Sequence, residues 1–144
     1  MATADAVVAH IQARVDAIMK QTFSEAIPFD NGAWVITHGS SSVMVMVRPY
    51  TESDAMVELL SQVVTGATIT SELQHFLLRK NAELHFGAFS LLFDGTIVFS
   101  YSLPGSSIDA NELEAAVTSV AVIADHYDDH IVQMAGGKRH ADLG

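Results

Sequence analysis

The chain has 144 residues, 49% of them apolar, and carries 17 acidic against 7 basic side chains for a formal charge of −10. That apolar content lets one domain bury roughly two-thirds of the surface its unfolded chain exposes, which sets global disorder aside. The charge opposes nucleic acid and anionic lipid as partners, and the absence of cysteine removes disulfides, thiol catalysis and cysteine-held zinc or iron–sulfur groups.

The first stretch, "MATADAVVAHIQARVDAIMK", has an acid at Asp5 and no basic run ahead of its apolar residues, so it does not read as a secretory signal. No segment approaches the ~18 uninterrupted apolar residues of a membrane span, and a cytoplasmic protein is the expectation. From Asp5 to about Thr22, Val7, Val8, Ile11, Val15, Ile18 and Met19 fall at helical spacing and predict an amphipathic helix. Pro28 and Asp30-Asn31-Gly32 end it.

Ala33–Thr37 and Val43–Val47 are short β-branched runs separated by "HGSSS", which predicts a hairpin with a small loop. In its second strand Val43, Val45 and Val47 share one face and Met44 and Met46 the other; Pro49 closes it or lies on an edge. "AMVELLSQVVTG" suits either a short helix or a strand, and the turn residues around it favour a third strand. Thr70 is a plausible helix N-cap with Glu72 in the first turn, and Leu73, Phe76 and Leu77 form the apolar face of a helix to about Lys80.

Gly87–Phe93 and Thr96–Leu103 flank Asp94-Gly95, a pair that predicts a hairpin closed by a two-residue type I′ turn. In the return strand Ile97, Phe99, Tyr101 and Leu103 face one way, and Val98, Ser100 and Ser102 the other. Asp109 and Glu112 form a capping-box-like start, after which Leu113, Ala116, Val117, Val120, Ile123, Ala124, Tyr127, Ile131 and Met134 run at helical spacing until Gly136-Gly137. Much of the core is expected at Phe89, Phe99, Tyr101, Val117, Val120 and Ile123. The pattern is one α+β domain over 1–137, an antiparallel sheet with helices on one face, followed by a polar tail over 138–144.

Little in the chain points to chemistry. His126 and His130 stand four apart on the last helix, with Asp129 beside them, and could share a metal; a third ligand is not evident, and Tyr127 stands where a metalloprotease helix carries Glu. "HGSSS" lacks both the phosphate-loop lysine and the Gly-x-Ser-x-Gly elbow, and small polar residues suit a hairpin loop on backbone grounds alone. No catalytic residue and no cofactor is expected. Methionines line adaptable binding surfaces, so Met44 and Met46, with neighbouring Trp34, are the candidate contacts for a partner chain, if the helices cover the valine face.

The succession "LLRKNAEL", "GAFSLLFDG", "TIVFSYSLP" and "DANELEAAV" resembles the YbjN-like domain and the wider group sharing the fold of type III secretion chaperones. The resemblance covers the second half of the chain, and the first helix and hairpin agree in order and length. It implies an α-β-β-β-α-β-β-α domain, often dimeric, without catalytic residues. Secretion chaperones of this shape hold an extended segment of a client protein, and YbjN-like members are described as regulators of sensory transduction. The leading expectation is therefore a homodimeric, non-enzymatic, chaperone-like or regulatory module that engages a peptide segment of a protein client. A small metal- or ligand-binding protein using His126 and His130 is the alternative, and a structural subunit of a larger assembly a third possibility.

Overall fold

A computed structural model describes residues 3–143. Helix α1 (Asp5–Thr22) leads into strands β1 (Ile27–Pro28), β2 (Trp34–His38), β3 (Ser41–Pro49) and β4 (Ala55–Thr65), then α2 (Ser71–Glu83). Strands β5 (Ala88–Leu91) and β6 (Ile97–Pro104) follow, then α3 (Ala110–Ala135), β7 (Lys138–Arg139) and a 3-10 turn at His140–Asp142. The strands form one antiparallel sheet in the order β1-β2-β3-β4-β6-β5, with β7 paired to the end of β4. The expected α+β order stands, extended by two short strands, β1 and β7.

The segment that could be read as helix or strand is the eleven-residue β4. Alternation decides it: Ala55, Val57, Leu59, Ser61 and Val63 are buried, while Met56, Glu58 and Leu60 between them are half-buried. A helix would have spread the same apolar residues around its circumference. Between Gln62 and Val64 the register against β6 shifts, a bulge that turns the end of the strand.

Residues on one face of the sheet, Val43, Val45, Val57, Leu59 and Phe99, pack with Ile11, Val15 and Met19 of α1 and Leu113, Val117, Val120 and Ala124 of α3. Leu73 and Leu77 bring α2 into the same core beside β5 and α3. Of the expected core, Phe89, Phe99, Val117 and Val120 are buried, whereas Tyr101 and Ile123 are half-buried at its margin. Both expected caps form. Thr70 accepts from the Leu73 N–H, and Asp109 and Glu112 make a reciprocal capping box.

Two turns differ from the sequence reading. Leu92 accepts from Gly95 N–H and donates to the Thr96 carbonyl, so the β5–β6 connection is a turn centred on Phe93-Asp94 with Gly95 at φ +86°. This is the three-residue loop with a left-handed glycine rather than a type I′ turn; Asp94 keeps negative φ and its carboxylate accepts the Thr96 N–H instead. The β2–β3 loop is tighter than "HGSSS" implied. His38 pairs with Ser41, which leaves only Gly39-Ser40 as the connection.

The expected tail is also folded where it is described. Gly136 and Gly137, at φ +74° and +90°, reverse the chain off α3, and Lys138 and Arg139 pair with Thr65 and Val64. Gly144 lies outside the described residues.

Candidate functional site

Because all three helices gather on the valine face, the opposite face of the sheet is left open. Its central row is fixed by register: Ile27 lies opposite Val35, Val35 opposite Met44, Met44 opposite Leu60, Leu60 opposite Ser100, and Ser100 opposite Ala88. The row is apolar across β1 to β4 and small or polar across β6 and β5. Val35, Met44 and Leu60 are half-buried and Ile27 is 59% exposed. With Phe29, Ser42, Gln62 and His140 the middle of the row lines a groove of about 330 Å³. In the adjacent row Met46 lies opposite Glu58, and Arg48 Nε pairs with Glu58 Oε1 at 2.9 Å. An extended chain laid across this face would meet a flexible thioether floor that can repack around differing side chains.

Met44 and Met46 therefore share the open face, and Trp34 does not. Trp34 lies opposite Val45, is 4% exposed among the core residues, and donates its indole N–H to Asp16 Oδ1 of α1 at 2.8 Å. The alternation explains its placement. Trp34 is in the covered register of β2, one residue before Val35 in the open one.

His126 and His130 do lie together on α3, with ring centroids 5.5 Å apart. Each also lies against Tyr127, which packs edge-on to Phe89 and Phe76 and lies beneath the Lys80 ammonium. Among the described residues no group of three or more His, Cys, Asp or Glu side chains is placed to hold a metal ion.

One polar cluster escaped the sequence reading. Ser40, in the β2–β3 turn, donates its backbone N–H to Asp125 Oδ1 at 2.8 Å, and its hydroxyl lies 2.7 Å from the same oxygen. The Ser40 hydroxyl is also bonded to Asp128 Oδ2. A hydroxyl carries one proton and cannot donate to two carboxylates at once. The geometry is satisfied when Asp128 keeps its proton and donates to Ser40 Oγ, while Ser40 donates to Asp125. The environments agree: burial pushes the Asp128 carboxyl up from its ordinary value, and the Ser40 backbone N–H and hydroxyl hold Asp125 down. Asp128 is 1% exposed, and its Oδ1 has no partner among the described residues. A signal for it existed, since Asp128 continues the buried stripe of Val117, Ala121, Ala124 and Ile131.

Two further surfaces also went unread. Leu78, Leu91, Leu92 and Phe93 are exposed around the α2–β5 edge, Phe93 completely. They adjoin a groove of about 280 Å³ lined by Gln74, Leu77, Leu78, Asn81, Phe89, Ser90 and Leu91, without a carboxylate. There the Asn81 amide accepts the Phe89 N–H at 2.7 Å and donates to its carbonyl at 3.1 Å, closing part of an otherwise open strand edge. The second surface is the folded-back segment after α3, which reaches the open face through His140.

Among the described residues no helix is long and apolar enough to cross a membrane. No curated protein matches the chain by sequence. Its fold is similar to a chain in a crystal structure of the ExsC–ExsE complex, with a TM-score of 0.65 at 11% identity over 87% of this chain and 96% of that one. Residues 9–143 match the family model TY-Chap1, described as T3SS (YopN, CesT) and YbjN peptide-binding chaperone 1. With nearly its whole length matched, the chain belongs to that family of peptide-binding chaperones.

Proposed function

We propose that this protein is a non-enzymatic chaperone-like or regulatory module that holds an extended segment of a client protein against the open face of its sheet, with Met44 and Met46 among the contacts. One observation carries the reading. The apolar row Ile27–Val35–Met44–Leu60 is left largely open by a fold that places all three α-helices on the other side. Membership of a family of peptide-binding chaperones supplies the class of occupant.

The test begins with clients captured from the native lysate and mapped to a synthetic segment. Titrating that segment against the Met44→Asp/Met46→Asp double variant should show at least a tenfold loss of affinity, as two charges on a desolvated binding surface require. The variant should still unfold in one cooperative transition, at a lowered temperature because one new carboxylate lies opposite Glu58. Undiminished binding by the folded double variant would remove the open face from the function.

The working state in this reading is a homodimer joined at the α2–β5 edge. Two chains of charge −10 repel each other, and the groove lined by Leu77, Leu78, Phe89 and Leu91 offers a carboxylate-free apolar surface to a second copy. Light scattering on wild type and on a Leu78→Glu/Leu91→Glu variant checks it. A dimeric mass should fall to that of the monomer, and an equal mass for both proteins would exclude this edge.

A further inference from the structure

We infer that the segment Lys138–Asp142 is a movable strap that closes one end of the methionine groove and regulates access to it. The inference rests on reading the open face as the binding face. Consecutive left-handed glycines turn the chain back from α3, and Gly137 packs so tightly against β4 that an added Cβ would lie 2.6 Å from the Thr65 carbonyl oxygen and 2.8 Å from Ala67 N. The return path is thus built into the backbone. From there Lys138 and Arg139 continue the sheet beyond the start of β3, along the last residues of β4, and the 3-10 turn that follows lies against β3 and β4. His140 completes the groove that Met44, Leu60, Val35 and Phe29 line.

What holds the strap is weak and concentrated in one residue. Arg139 bonds Asp142 through Nε at 2.9 Å and Nη2 at 3.1 Å, and reaches Asp129 of α3 through Nη1 at 3.2 Å. Of these pairs the one to Asp142 lies within the strap and braces its turn, and only the one to Asp129 ties it to the body; both carboxylates are exposed, so the pairs stabilise little and are screened by salt. The strand they secure is two residues long. A segment tied by a two-residue strand and one ion pair to α3 opens more easily than the body of the sheet, and an occupant of the groove that needs His140 out of the way selects the open form.

The absence of cysteine makes a direct test possible in the full chain. Thr65 and Lys138 are antiparallel partners, within the Cα separation a disulfide spans, so Thr65→Cys/Lys138→Cys locks the strap on oxidation. The probe is the neutral apolar dye Nile red, followed by fluorescence titration. Dye affinity should be lowest in the oxidised lock, return to the wild-type value on reduction, and rise by up to about fivefold in Arg139→Ala, as the loss of one weak ion pair allows when apparent affinity scales with the fraction of open strap. Adding Met44→Asp to Arg139→Ala should abolish that rise. Equal dye binding by the oxidised lock, its reduced form and Arg139→Ala would overturn the strap, as would a rise that survives Met44→Asp. The client reading fails independently: a mapped client segment indifferent to Met44→Asp/Met46→Asp removes the peptide site even where the dye responds to the lock.

Discussion

Leu59 and Leu60 are consecutive, identical in composition and hydrogen-bonded into the same strand, yet they belong to opposite halves of the molecule. Leu59 lies opposite Val45 and Tyr101 with no exposed surface, beneath the helices. Leu60 lies opposite Met44 and Ser100 on the open face. The covered face is built largely from β-branched residues around Leu59 and Phe99, with Trp34 tied to Asp16, a rigid surface that accepts one arrangement of helices. The open face offers methionine, serine and a surface ion pair, a composition that tolerates more than one neighbour. One face specifies the fold, and the other is the face that the proposed binding uses.

The largest expected effect separates the two leucines. Leu59→Ala should cost about 2–5 kcal/mol through lost burial and the cavity left behind, and Leu60→Ala about 1 kcal/mol or less, measured as the shift of the urea midpoint at constant slope. Equal costs would mean that the open face is as firmly packed as the covered one. Trp34→Phe comes next. It removes the indole donor from Asp16 and should cost about 1 kcal/mol, while leaving client affinity unchanged. Reduced client affinity in a variant of unchanged stability would return Trp34 to the binding surface.

A smaller effect tests the polar clasp between the β2–β3 turn and α3. Burial raises the Asp128 carboxyl in the folded state above its unfolded value. The stability contributed by the bound proton is therefore fully present below the unfolded value and is lost as pH rises through the folded one. Asp128→Asn keeps a donor toward Ser40 and carries no charge, so its melting temperature should exceed that of wild type above neutrality, with the gap closing as the pH falls into the carboxylate range. Asp125 is held down, chiefly by the Ser40 N–H. Its contribution is present above the ordinary carboxylate value and lost as pH falls, so Asp125→Asn should be less stable near neutrality and converge on wild type in acid. Parallel pH profiles for the two variants would discard the shared-proton arrangement.

Local patterns in the sequence carried most of the fold. Asp109 with Glu112, Thr70, the alternation from Val43 to Val47 and the helical spacing after Leu113 each depend on neighbours a few residues away, and each forms as read. What the sequence left open depends on the register between distant strands. That Met44 meets Leu60 while Trp34 meets Val45 follows from which residue of β2 pairs with β3, and a one-residue slip would exchange their faces. The β5–β6 hairpin was legible but its turn was not, because Asp-Gly serves both a two-residue loop and the end of a three-residue one. The strap was illegible for a similar reason. "KRHADLG" is a polar string until Gly136 and Gly137 aim it at the end of β4.

The smallest expected effect lies on the open face, where Arg48 and Glu58 pair at 2.9 Å beside Met46. Arg48 is 53% exposed and Glu58 22%, so the pair gains little in high dielectric and restrains two long side chains. Arg48→Ala should change stability by no more than about 0.5 kcal/mol, and less still in high salt. Its value lies in what it does to binding. Removing the arginine leaves Glu58 unpaired on a face whose chain is already strongly acidic, so a client segment carrying lysine or arginine should bind more tightly and an acidic one more weakly. Titrating Arg48→Ala with two versions of the mapped segment that differ only in charge checks this, since the two affinities must move in opposite directions. If both stay at their wild-type values, the client does not pass over Met46, and the binding path is confined to the row through Val35, Met44 and Leu60.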